Sequence, residues 1–232
     1  MNADLLKNLN LNLVLLGRTG VGKSSSGNTI LGQQAFISES SSTSVTRNVA
    51  AEIGDICGLP IKVYDTPGFS DTQLSKEEFL KYEKILQECE SGLCAFMLVL
   101  RSDRFTEEDQ EFLENILELL GAKRIEQTWI LFTRGDELEE ENNTINKFIQ
   151  QTDYLMNLIQ RLEGRSHVLN NKRNDDGDDQ VNSLGSKVFY RNLESLSCWK
   201  MDSSKWKTES GLEFSVKVFM STPVGNRDIA PP

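Results

Sequence analysis

The run Gly17-Arg18-Thr19-Gly20-Val21-Gly22-Lys23-Ser24 sets glycines, a lysine and a hydroxyl at the spacing of a phosphate-binding loop. In such a loop, glycine lets successive backbone N–H groups turn inward onto phosphate oxygens. Here Lys23 would neutralise the outer phosphates and the Ser24 hydroxyl would ligate Mg2+. Ser25 continues the same turn. The run follows the apolar Leu11–Leu16 and precedes a helical pattern at about Lys23–Leu31, the strand–loop–helix context that the chemistry requires. A phosphorylated ligand is implied, but not which one.

Two further clusters narrow the choice. Asp65-Thr66-Pro67-Gly68 closes an apolar run at Ile61–Tyr64, which puts Asp65 at a strand's carboxyl end where it can hold a water on Mg2+. From the same turn, the Gly68 amide can sense a γ-phosphate. Thr133-Arg134-Gly135-Asp136 ends another apolar run, and the Asp136 carboxylate can accept hydrogen bonds from both the N1 and N2 groups of guanine, a pair that adenine lacks. GTP/GDP with Mg2+ is therefore the expected ligand set. The residue after Gly68 is Phe69, where many small GTPases keep a water-orienting glutamine, so intrinsic hydrolysis is expected to be slow.

The elements that must position these groups follow from periodicity. Asn48–Ile53 and Ile61–Asp65 read as a hairpin around a Gly54–Pro60 turn. Ser75–Glu90 is a helix burying Phe79, Tyr82, Ile85, Leu86 and Cys89. Leu93–Leu100 is a buried strand. Thr106 caps a helix with Phe112, Leu113, Ile116, Leu117 and Leu120 as its core stripe, ended by Gly121. Thr128–Thr133 is a strand, Asn142–Leu162 a helix and His167–Leu169 a last strand, with His167 a strand residue rather than a ligand. Alternation of this kind predicts an α/β fold with a mainly parallel sheet covered on both faces.

The domain reading is an N-terminal extension at 1–9, a nucleotide-binding domain at 10–174 and an irregular tail at 175–232, either disordered or an alternative C-terminal end. The acidic Asp175–Asp179 stretch lacks the twelfth-position carboxylate of a calcium loop and reads as solvated. A net charge of -10 opposes binding to nucleic acid. Four cysteines without metal spacing and one histidine oppose a zinc site. No apolar run approaches the ~20 residues of a membrane span, so the expectation is a soluble cytoplasmic protein without a transmembrane segment, with peripheral membrane association as the alternative.

The runs GRTGVGKSSSGNTILG, DTPGF, LRSDRFTEEDQEFLENILELLG, LFTRGDEL and HVLNNK, within about residues 10–172, resemble the immunity-associated nucleotide-binding GTPases of the GIMAP family. The resemblance implies a P-loop three-layer fold, a Ras-like mostly parallel sheet with one antiparallel edge hairpin. It also implies GTP/GDP and Mg2+ binding, and nucleotide-dependent homo- or heterodimerisation through the nucleotide face. On that basis Thr46, with Thr43 as the alternative, resembles the switch-loop threonine that completes the Mg2+ shell, and Asn170 and Asn171 resemble residues of the loop backing guanine. Arg104 is an arginine-finger candidate acting across a dimer; a surface arginine paired with Glu107 or Glu108 is the alternative. Relatives usually continue past the NNK segment with a helix that covers the sheet, whereas this chain departs near Gly185. A non-hydrolysing GTP-gated scaffold, an ATP-selective enzyme and a truncated, incomplete domain remain as alternatives.

Overall fold

A computed structural model describes residues 10–38, 49–56, 59–68, 76–90, 92–140, 143–172, 177–195, 199–202, 205–208 and 213–214. Thr43, Thr46, Phe69 and the 1–9 extension lie outside them. The chain divides into one compact unit reaching to Asn192 and a small C-terminal unit from Leu193.

In the larger unit the strands are β1 (Leu11–Leu16), β2 (Ala50–Ile56), β3 (Leu59–Asp65), β4 (Leu93–Arg101), β5 (Thr128–Thr133) and β6 (Ser166–Val168). The helices are α1 (Lys23–Leu31), α2 (Lys76–Cys89), α3 (Glu107–Ile125), α4 (Gly135–Glu140), α5 (Ile145–Gln150), α6 (Asp153–Arg161) and α7 (Gly177–Ser195). One six-stranded sheet has the order β2-β3-β1-β4-β5-β6. Only β2 runs antiparallel, paired to β3 from Ala50↔Asp65 to Ile56↔Leu59, so this hairpin extends further than its Gly54 and Pro60 implied.

The central strands are buried on both faces, which is why they read as unbroken apolar runs. On one face Val14, Leu16, Phe96, Leu98, Ile130 and Phe132 share a core with Leu86 of α2, Leu113 and Ile116 of α3, and Leu155 of α6. Phe79 stands apart from the expected stripe and is exposed. Thr106 and Asp109 form a reciprocal capping box that starts α3, whose backbone leaves helical geometry at Gly121 (φ 66°, ψ 174°) as the glycine predicts. The expected Asn142–Leu162 helix is two helices: Thr144 caps α5 through the Lys147 amide, and Thr152 starts α6 afresh.

The tail reading is corrected over 177–195, where the chain forms α7. Val181, Leu184, Val188 and Phe189 are buried at i, i+3, i+7 and i+8, one helical stripe. Gly185 interrupts this pattern in the sequence for a tertiary reason: a Cβ there would lie 2.2 Å from Ile56 Cγ2, so the helix comes this close to β2 only without a side chain. The covering helix, expected to be missing, is present. No described helix is long and apolar enough to cross a membrane. Taken by itself, the C-terminal unit holds a three-stranded antiparallel sheet of β7 (Trp199–Asp202), β8 (Lys205–Thr208) and β9 (Glu213–Phe214).

Replacing Leu184, fully buried on α7, by Ala is expected to lower unfolding free energy by about 2–5 kcal/mol in a denaturant titration. A pH effect is expected at the same junction. His167 Nε2 lies 3.0 Å from the Gln180 carbonyl. Burial, aided by the Lys187 charge, lowers the imidazole pKa to about 4. The unfolded chain therefore takes up this proton first, near the ordinary pKa of about 6.5, so the contribution is intact above that value and is lost as pH falls toward 4, by up to about 3 kcal/mol. Comparing wild type with His167→Gln over this window should show the shallower decline in the variant.

Candidate functional site

The site lies along the carboxyl ends of β1, β3, β4 and β5, where a parallel sheet leaves a crevice. At the phosphate end, the loop between β1 and α1 carries Gly20 and Gly22 at φ 80° and 100°, left-handed geometry natural to glycine. Gly17 is backed by Val99, and Val21 is buried. Lys23 folds back under the loop: Nζ donates to the Gly17 and Arg18 carbonyls, both at 2.9 Å. Burial lowers its pKa to about 8, with the Asp65 charge opposing the shift. Ser24 Oγ donates to Asp65 Oδ2 at 2.6 Å, and Thr66 Oγ1 donates to Leu15 O at 2.6 Å, fixing the end of β3 beside β1. Ser25 is half-buried in the first turn of α1.

A hydroxyl and a carboxylate oxygen this close are hard donors of the kind Mg2+ accepts, with phosphate oxygens and water to complete its shell. The described residues hold no group of three or more His, Cys, Asp or Glu placed to bind a metal alone.

At the other end, Thr133 Oγ1 donates toward Val21 O at 2.8 Å and Leu100 O at 3.2 Å, so this residue braces the phosphate loop. Arg134 has φ 65°, an unusual conformation outside glycine, and Nη1 reaches Glu137 at 2.7 Å and Asp103 at 3.6 Å. Asp136 Oδ2 meets Lys172 Nζ at 2.5 Å, and that carboxylate raises the lysine pKa. Neither asparagine amide is idle. Asn170 Oδ1 accepts from the Lys172 amide, while Asn171 donates to Ser26 Oγ at 3.2 Å and accepts from Thr29 Oγ1 at 2.9 Å.

The segment from Arg101 to Asp109 joins the two ends. Ser102 Oγ lies 2.7 Å from Thr133 O, and Asp103 pairs with both Arg101 and Arg134. At its far end Asp109 Oδ1 accepts from Arg18 of the phosphate loop at 3.2 Å, with Glu108 3.9 Å away. Arg104 is exposed within the segment.

The phosphate-loop residues, Asp65 and Gly68 thus gather at one end, with Thr133, Arg134, Asp136, Asn170 and Asn171 at the other. Thr46 falls outside the described residues. Sequence reading missed Asp103, Asp109, Lys172 and Gln180 as supports. The Thr106–Asp109 cap was legible, but Gln180 left no signal: it accepts from the Asn170 amide at 2.8 Å and donates to its carbonyl at 3.0 Å across ten residues.

These features define a P-loop nucleotide-binding domain with the GTPase fold. The chain belongs to the AIG1 family, whose model matches residues 11–204. That match runs past the point near Gly185 where the resemblance was expected to end. The chain is 37% identical over 172 residues to immune-associated nucleotide-binding protein 4 of Arabidopsis thaliana, covering 72% of this chain and 52% of that protein. It is 35% identical over 186 residues to GTPase IMAP family member 8 of Rattus norvegicus, covering 75% and 26%. It spans about half or less of these relatives' lengths. Among solved structures, Toc33 of Arabidopsis thaliana in complex with GDP and Mg2+ shares the fold at TM-score 0.58 and 18% identity, over 80% of this chain and 85% of that one. A structure of the chloroplast translocon components atToc33 and psToc159, described by the importance of dimerization for GTPase activity, gives 0.59 and 19%, over 80% and 84%.

Replacing Gln180 by Ala should cost about 1–3 kcal/mol of stability and speed hydrogen exchange at the Asn170 amide, read by native-state exchange.

Proposed function

We propose that this chain binds GTP and GDP with Mg2+, hydrolyses GTP slowly, and serves as a switch whose turnover depends on nucleotide-dependent dimerisation. The observation that carries the reading is the Ser24–Asp65 contact of 2.6 Å beside a phosphate loop closed over Lys23. With nucleotide present, Lys23 would exchange loop carbonyls for phosphate oxygens, and Ser24 and Asp65 would face the Mg2+ ion, which supplies charge neutralisation at the phosphates. Asp136 holds an ammonium in place of a base. Guanine offers two N–H groups to the same carboxylate and would displace Lys172, which is largely exposed and readily moved.

Slow hydrolysis follows from Phe69, which has no polar group to orient water. A second protomer can supply the missing group, and Arg104 is exposed for that purpose on the segment that touches both ends of the site. The atToc33 and psToc159 structure, with its stated link between dimerization and GTPase activity, supports this reading by analogy of fold.

Titration with GDP and with a non-hydrolysable GTP analogue, followed by size analysis, tests binding and assembly together. Dimer is expected with the analogue, and phosphate release per protomer should rise with protein concentration. Arg104→Ala should reduce that concentration-dependent part; an equal loss at high dilution would refute the finger. GTP binding without phosphate release at any concentration would instead favour a non-hydrolysing scaffold. Asp136→Asn should weaken GDP by at least tenfold and improve xanthosine diphosphate, whose C2 carbonyl suits an amide donor, in a competition assay that also includes ATP.

A further inference from the structure

We propose that the Thr19 side chain contacts the γ-phosphate and so lets this chain tell GTP from GDP, a role distinct from the backbone amides of the phosphate loop. The proposal rests on the guanine-nucleotide reading above and assigns one hydroxyl within it.

Thr19 is the third residue of the Gly17–Ser24 loop. Its Oγ1 is sealed from solvent and has no hydrogen-bond partner among the described residues. A hydroxyl carries one donor and two acceptor sites, and leaving all of them unmet in a buried position is costly enough that such groups call for a reason.

What seals it is Gly68. A Cβ built on Gly68 would fall 2.3 Å from Thr19 Oγ1, 2.6 Å from its Cα and 2.7 Å from its N, so the turn after β3 lies directly on the loop. No other residue type could approach so closely. Nearby, the Lys23 ammonium is turned onto the Gly17 and Arg18 carbonyls, and Ser24 is turned onto Asp65. Each of those polar groups has a protein partner. Thr19 Oγ1 does not.

The Gly68 amide is the group read above as a γ-phosphate sensor. A terminal phosphate that reaches it must enter between Gly68 and Thr19 and part them. It then offers acceptor oxygens to a hydroxyl that has had none, and a charged acceptor makes that bond a strong one. GDP brings no such oxygen, so the contact stays closed and the hydroxyl stays unmet. The difference between the two nucleotides is therefore a difference in bonds formed, which is what a ligand needs in order to shift a conformational equilibrium. It also gives the Gly68 turn a reason to move in one nucleotide state and not in the other.

The test is titration of wild type, Thr19→Val and Thr19→Ser with GDP and with a non-hydrolysable GTP analogue, both with Mg2+, alongside thermal melts without nucleotide. Valine keeps the shape and removes the hydroxyl. Its preference for the analogue over GDP should fall about tenfold, with GDP affinity within about twofold of wild type. Its melting point should hold or rise by about 2 °C, because an unmet polar group has been removed. Serine should keep the wild-type preference. Should valine fail to fold, Thr19→Ala carries the same expectation for the preference. An unchanged preference in valine would overturn the proposal, as would an equal loss of both nucleotides or a loss in serine matching that in valine. Failure of wild type to bind either guanine nucleotide is a separate result, which would overturn the underlying nucleotide reading.

Discussion

The Lys23 ammonium sits beneath its own loop, cut off from water, with two backbone carbonyls at 2.9 Å and the Asp65 carboxylate as its electrostatic support. A buried cation is tolerated only when it is bonded, and here burial still lowers its pKa to about 8. The loop must therefore curl tightly, which is why Gly20 and Gly22 hold left-handed backbone and why α1 starts where it does. The carboxyl end of β3 must also bring Asp65 close, and the Thr66 bond to Leu15 O secures it. Much of the phosphate end follows from housing this one charge.

A second constraint is the relation between the phosphate loop and the loop after β5. Thr133 reaches Val21 directly, and the Arg101–Asp109 segment reaches Arg18 on one side and Arg134 on the other. Ion pairs of this kind at a surface contribute little singly. Their use here is geometric, since each fixes a long arginine that would otherwise sample many rotamers beside the ligand. The loop after β6 is held by different means: Gln180 of α7 accepts from the backbone N–H of Asn170 and donates to its backbone C=O, and Asn171 is tied to Ser26 and Thr29 of α1. Helix α7 therefore supports the loop that carries Asn170 and Asn171 as well as covering the sheet.

Legibility in the sequence followed the range of the interactions. The strands β1, β4 and β5 announce themselves as apolar runs because both faces are covered, and α3 announces itself through its cap and stripe. Helix α7 did not, because two aspartates precede it, two more stand in its first turn, and Gly185 breaks its pattern for the sake of Ile56, 129 positions away in the chain. Phe79 fits the α2 period and yet faces out. Asn170 and Asn171 stand in the expected loop, but their amides are engaged by the protein, which no spacing rule could foresee.

By itself the sequence determined the α/β order of elements, the phosphate loop from Gly17 to Ser24, and the two carboxylates, Asp65 at the end of one strand and Asp136 just past the end of another. Each is encoded locally, by residue type, by period or by a motif of fewer than ten residues. Only the tertiary structure decided which side chains brace the loops, that Lys172 rests on Asp136, and that Thr19 is sealed beneath Gly68 without a partner. Those outcomes depend on contacts between residues from 10 to 145 positions apart, set by strand register and helix docking rather than by motifs along the chain.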